Sequence, residues 1–246
     1  MTYKERPILF NAQMVLAILD GRKTQTRRIA PIDSLNITEH DGGFVTWHVG
    51  FSTPVGKSRT IGSYSGTLCT PDDARRIIAS QFCPYGQPAD RLWVRESFNL
   101  GRALLNCEGV ADDEQLWIGR MPKDDPRKQA FMTAWRLGYA ADGCDGKMRP
   151  SIHMPRWASR LTLEITGARV ERLNDINEAD AIAEGVTAVS SGGVTLFTTT
   201  GVNCFQAAKD AYAALWEPIN GPDSWAANPW VWVVSFKKIE LSEIQQ

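Results

Sequence analysis

At 246 residues, with 43% hydrophobic and 22% charged side chains, the chain can bury one large core or two small ones, which excludes wholesale disorder. A formal net charge of -1 excludes a general polyanion-coating protein, though not a local basic pocket. No window approaches the roughly 18 apolar residues of a membrane span, and the first residues lack the apolar stretch of a signal peptide.

Pro7 to Phe10 reads as a short strand, and Asn11 as the N-cap of a helix from Ala12 to Asp20. Gly21 is a natural C′ residue ending that helix. Arg22-Lys-Thr-Gln-Thr-Arg-Arg28 then reads as a basic, threonine-rich strand. Residues 31 to 85 show no sustained periodicity and read as an irregular excursion with a short helix near Pro71 to Ser80. Gly86 to Asp90 is turn chemistry, and Arg91 to Glu96 alternates as a strand should. Residues 99 to 150 read as a second excursion.

Leu161, Leu163, Ile165 and Val170 predict a strand or a bent strand pair around Gly167. Asp175 or Asn177 caps a helix running to about Glu184, closed by Gly185. Residues 187 to 203 read as a Ser/Gly/Thr-rich loop. Phe205 to Trp216 mark a helix that stops before Pro218, and Trp230 to Phe236 is a dense apolar strand. No linker divides the chain. The expected class is α+β, a small barrel with packed helices and long insertions at about 31–85, 99–150 and 187–203.

Five scattered cysteines (Cys69, Cys83, Cys107, Cys144, Cys204) without CxxC spacing fit reduced thiols in a cytoplasm. Several of the nine tryptophans lie near arginine: Trp93 with Arg95, Trp135 with Arg136, Trp157 with Arg156. Such pairs can stack on a planar ring, although large aromatics more often fill a core. Arg22, Lys23, Arg27 and Arg28, interleaved with Thr24 and Thr26, form either a solvated strand edge or a pocket for phosphate or a polar base. Arg95 and Glu96 either line a pocket or pair with each other. His153, Arg156, Trp157 and Arg160 make a second basic-aromatic group. The absence of P-loop, GxGxxG, GxSxG and zinc-deaminase spacings argues against motors, dehydrogenases, α/β-hydrolases and zinc enzymes, so no cofactor is expected.

Leu19-Asp-Gly-Arg-Lys-Thr-Gln-Thr-Arg27 resembles the opening signature of the ASCH domain, a β-barrel related to the PUA RNA-binding fold. Gly86 to Glu96, Ala181-Ile-Ala-Glu-Gly185 and Pro229 to Phe236 resemble further family segments in matching order. The remaining length, including Pro150 to Arg160, resembles the insertion-bearing versions often encoded by phages and prophages. The resemblance implies a metal-independent amidohydrolase acting on N4-acetylcytidine or a related nucleoside or base. Lys23 would be the base, Thr26 the nucleophile and Glu184 the acid that protonates the departing amine. Strand parity places Lys23 and Thr26 on opposite faces, so convergence requires Lys23 to lie in the turn. Arg22, Thr24, Arg27, Arg28, Trp93, Arg95, Glu96, Arg156 and Trp157 are the candidate substrate or nucleic-acid contacts. The alternatives are an RNA-binding module without chemistry and, third, a ribonuclease.

Overall fold

The computed structural model describes residues 3–41, 44–52, 58–66, 70–100, 137–139, 148–191, 193–199 and 203–239. Most of the expected excursion at 99–150, with Cys69, Cys107, Cys144, Trp135 and Arg136, lies outside the described residues. Helices and several sheets make the class α+β, as expected. Among the described residues no helix is long and apolar enough to cross a membrane.

The principal sheet has five strands in the order β1-β6-β9-β12-β2, comprising β1 (Glu5–Leu9), β6 (Arg91–Arg95), β9 (Thr162–Arg172), β12 (Trp230–Ile239) and β2 (Gln25–Ile29). The pairings described for it leave β1 and β2 at its ends, so no closed barrel is formed among the described residues. β12 lies inside the sheet with Val231 to Val234 all buried, which is why its sequence is apolar on both faces. β9 is one continuous strand of 11 residues.

The chain divides into two compact units. One comprises Met1–Arg6, Ala17–Leu92 and Leu163–Gln246; the other comprises Pro7–Leu16 and Trp93–Thr162. Each is assembled from segments distant in sequence, so neither boundary carries the Pro/Gly-rich signature of a linker.

The first unit corrects the reading of residues 31 to 85. Instead of an irregular excursion, β3 (Ile32–His40), β4 (Phe44–Ser52) and β5 (Ser58–Gly66) form an antiparallel three-stranded meander. Its signal is the alternation of Val45, Trp47, Val49 and Phe51, all buried. These side chains pack with Ala74, Ile78 and Ala79 of helix α2 (Pro71–Phe82), and with Val170 and Trp232. α2 begins at a capping box in which Thr70 and Asp73 satisfy each other's backbone N–H groups, with Pro71 in the first turn. Gly86 holds a φ of +124, and an added Cβ would come within 2.8 Å of Arg6 and Asp90, which are themselves ion-paired. Only glycine fits that turn.

Two further expectations change. Residues 187 to 203 are not an open loop: β10 (Thr187–Ser191) and β11 (Val194–Thr198) pair as a hairpin with Ser191 opposite Val194. The Gly-Gly dipeptide at 192–193, flanked in the sequence by β-favouring residues, was the available signal. Helix α4 (Ala208–Asn220) does not stop before Pro218 but ends beyond it at Gly221, where φ is +99. Pro218 has no N–H to offer the carbonyl four residues earlier, and the helix gives up that bond in its last turn. Helix α1 (Ala12–Leu19) has the expected Asn11 cap, with Met14 N–H donating to Asn11 Oδ1 at 2.9 Å.

Four of the described tryptophans, Trp47, Trp93, Trp216 and Trp232, are buried, in line with a core-filling role. In the second unit, Phe98, Met154 and Ala158 form a small cluster with Trp157 packed against it.

Candidate functional site

Helix α3 (Glu178–Ala183) is short, capped at its start by Asn177 and followed by Glu184 and by Gly185 at a φ of +105. Its C-terminal carbonyls are met by three consecutive residues of the basic motif. Thr24 N–H donates to Ala183 O at 2.8 Å, Lys23 Nζ to Glu184 O at 2.9 Å, and Arg22 Nη1 to Gly185 O at 3.5 Å. Cations and N–H donors belong at the negative end of a helix. Lys23 therefore lies in the connection preceding β2, outside the strand, as convergence with Thr26 required, but its contacts are with Glu184.

The Glu184 carboxylate is at the unfavourable end of α3 and is 2% exposed, so it needs positive partners. Oε2 accepts from Lys23 Nζ at 2.7 Å and Oε1 from Arg27 Nη1 at 3.3 Å. Arg27 Nη2 also donates to Glu171 Oε1 and, at 2.8 Å, to Asp180 Oδ2. Arg169 closes the network, donating to Glu171 Oε2 at 3.0 Å and Asp180 Oδ2 at 2.7 Å. Lys23, Arg27 and Arg169 thus balance Glu171, Asp180 and Glu184. The Tyr212 ring lies beneath Arg27, 6.0 Å from the guanidinium carbon to the ring centre.

Burial pushes the Lys23 ammonium below the ordinary lysine range, with Glu184 opposing. Burial also works against the charge of Arg27, but Glu184 and Glu171 outweigh it and hold the guanidinium above its usual value. Burial raises the Tyr212 phenol well above the ordinary range, with Glu184 adding to the effect. For Asp180, burial is outweighed by Arg169 and Arg27, and the carboxyl titrates below the usual range. A depressed carboxylate stabilises the fold above its unfolded pKa and loses that contribution as pH falls through the folded one. Urea titrations from pH 7 to pH 3 should therefore show Asp180→Asn with a shallower acid loss of stability than the parent.

Gly185 is the tightest point of the site. An added Cβ would meet Ala17 Cβ at 3.4 Å and Lys23 Cβ at 3.7 Å, at a φ that L side chains rarely adopt. Gly185→Ala is expected to cost about 1–2 kcal/mol, read from the urea midpoint at unchanged slope.

The other motif residues are placed as follows. Thr26 is 2% exposed and opposite Val234 of β12. Alternation along β2 puts Gln25 and Arg27 on the face of the ionic network and Thr26 and Arg28 on the other. The Thr26 hydroxyl makes none of the hydrogen bonds joining Lys23 to Glu184. Arg28 is half-buried, while the side chains of Thr24 and Arg22 are exposed, with Arg22 paired to Asp20 at 2.9 Å.

The remaining candidates belong to the second unit. Trp93 is 8% exposed, with Arg95 stacked at 4.6 Å and Arg156 at 6.0 Å from its ring centre. Its face is therefore already taken by arginine. Glu96 does not pair with Arg95 but with Arg160, through two bonds of 2.9 and 3.1 Å. Adjacent residues leaving a strand point to opposite sides, whereas Arg160 reaches the buried carboxylate bidentately. Arg156 also donates to Thr162 Oγ1 at 3.2 Å, and Trp157 is half-buried against the small cluster.

Sequence reasoning missed Arg169, Glu171, Asp180 and Tyr212. Asp180 and Glu184 are four apart, hence on one helix face, and Arg169 and Glu171 alternate on one strand face; these spacings were the available signals. Among the described residues no three His, Cys, Asp or Glu side chains are placed to hold a metal ion. Comparison with protein-family models, with curated proteins and with solved structures gives no match to this chain.

Proposed function

We propose that this chain is a metal-independent amidohydrolase of the ASCH type, built on a PUA-like architecture and acting on an N-acylated nucleoside or base such as N4-acetylcytidine. One observation carries the reading. Lys23 and Glu184, 161 residues apart in sequence and singled out by separate motifs, meet at 2.7 Å in a buried pair.

The chemistry follows from that contact. Transfer of one proton across it converts an ammonium–carboxylate pair into a neutral amine and a neutral acid. Burial lowers the Lys23 pKa, which favours its neutral amine. The amine then takes the proton of the attacking hydroxyl, and the acid protonates the departing amine of the substrate. Water, giving a proton to the Glu184 carboxylate while the Lys23 ammonium returns one to the hydroxyl oxygen, releases the acyl group as a carboxylic acid. The role of Thr26 as nucleophile rests on the resemblance alone, because it lies on the opposite face of β2 from Arg27. With the Lys23 side chain fully buried, an acyl group reaches Nζ only when the chain around Glu184 opens. Turnover is expected to be limited by that opening.

The test is release of cytidine from N4-acetylcytidine, with nucleoside and free base both offered and Lys23→Met assayed beside the parent. Release by the parent alone supports the reading. No release by either removes it and returns the weight to RNA binding, to be measured as a titration against salt.

A further inference from the structure

A cavity of about 530 Å³ opens in the first unit; neither Lys23 nor Glu184 is among its described lining residues. It is bounded by Arg76, Ile77 and Ser80 of α2, by Pro88 of the following turn, by Thr166 to Arg169 of β9, and by Ser235 of β12. Its size falls in the range of about 300–1,000 Å³ typical of small-molecule sites, far above what one ion or water fills.

Arg76, Arg169, Ser80, Thr166 and Ser235 line it, and among the described residues no Asp or Glu does. Ile77 and Pro88 supply an apolar wall. The two arginines differ in kind. Arg76 is two-thirds exposed and held only by Asp73 at 3.5 Å. Arg169 is fixed before any ligand arrives, by Glu171 and Asp180 and by Gln25 Oε1 at 3.5 Å, yet its side chain remains 30% exposed. A guanidinium has five N–H donors, so three such bonds leave donors for a ligand.

Gly167 supplies the second observation. A glycine within a strand weakens it and marks a place where something approaches the backbone closely. A Cβ built at Gly167 finds no atom within 4 Å, so protein packing does not demand the glycine. It keeps the floor of the cavity open.

We infer that this cavity binds a small organic anion with a flat apolar body, of the class of a nucleoside monophosphate. The anionic group lies between Arg76 and Arg169, and the ring lies over Gly167 against Ile77 and Pro88. This site is separate from the proposed catalytic pair.

Calorimetric titration of the full chain with cytidine 5′-monophosphate, cytidine and inorganic phosphate tests it. The monophosphate should bind more tightly than either fragment. Gly167→Leu fills open space in extended backbone, and Arg76→Ala removes an exposed cation; both variants should stay folded and each weaken binding by about tenfold or more. Unchanged affinity in both variants would place the ligand elsewhere and overturn the assignment. So would absence of binding by all three probes, and phosphate alone binding as tightly as the monophosphate would overturn the apolar half of the site.

Discussion

Replacing Arg27 by methionine is expected to lower the unfolding free energy by about 3–5 kcal/mol, the usual consequence of removing one partner from a buried ionic group. Arg27 is fully buried and is held by Glu171, Asp180 and Glu184 together. Without it, three carboxylates share only Arg169 and Lys23, so Glu171 and Asp180 must repel each other across Arg169 or one of them must take up a proton. Arg27→Lys should recover little, because a point charge cannot reproduce the planar fork that reaches acids from β9 and α3 at once. Urea denaturation at pH 7 measures both variants. A loss below about 1 kcal/mol for the methionine variant would mean that the network contributes little, and that Arg27 is free to serve a ligand. The motif arginine would then be a binding residue after all.

Lys23→Met is expected to differ, abolishing hydrolysis while costing the fold less than the loss of Arg27. Loss of a general base typically costs about 10²–10⁴ in rate. The stability loss should fall at or below the lower end of the about 3–5 kcal/mol usual for one partner of a buried pair. Lys23 carries a desolvation cost, visible in its lowered pKa, that methionine does not bear. Glu184 would still be paired with Arg27 through Oε1. The costs that remain are the lost capping of Glu184 O, the lost partner of Glu184 Oε2 and one unbalanced negative charge in the network. Cytidine release and the urea midpoint, measured on the same preparation, separate the two effects. Full activity in a folded Lys23→Met protein would reduce Lys23 to a helix cap and remove the catalytic reading.

The two variants divide one motif by role, which composition alone could not do. Arg22, Lys23, Arg27 and Arg28 look alike in sequence as four cations within seven residues. In the fold, Arg22 is exposed, Lys23 and Arg27 are buried in ion pairs, and Arg28 is half-buried on the other face of β2. Burial changes what each charge can do.

Local chemistry made much of the frame legible. Asn11, Asn177, Gly21 and Gly185 mark helix ends through capping groups and positive φ values that act over three or four residues. The apolar run at 230–236 announced a strand, and Gly21 ended the helix just before Lys23. The meander at 32–66 and the hairpin at 187–198 escaped because weak strand propensity is overruled by pairing with partners only the fold supplies. The same reason hid most of the site. Lys23 and Glu184 were each visible as candidates, but Glu171, Asp180 and Arg169 gain meaning only when β9 and α3 converge on β2. Sequence determined which ends of elements meet water and which charges were available. Tertiary structure decided which charges are buried together, because desolvation, unlike propensity, depends on neighbours more than a hundred residues away.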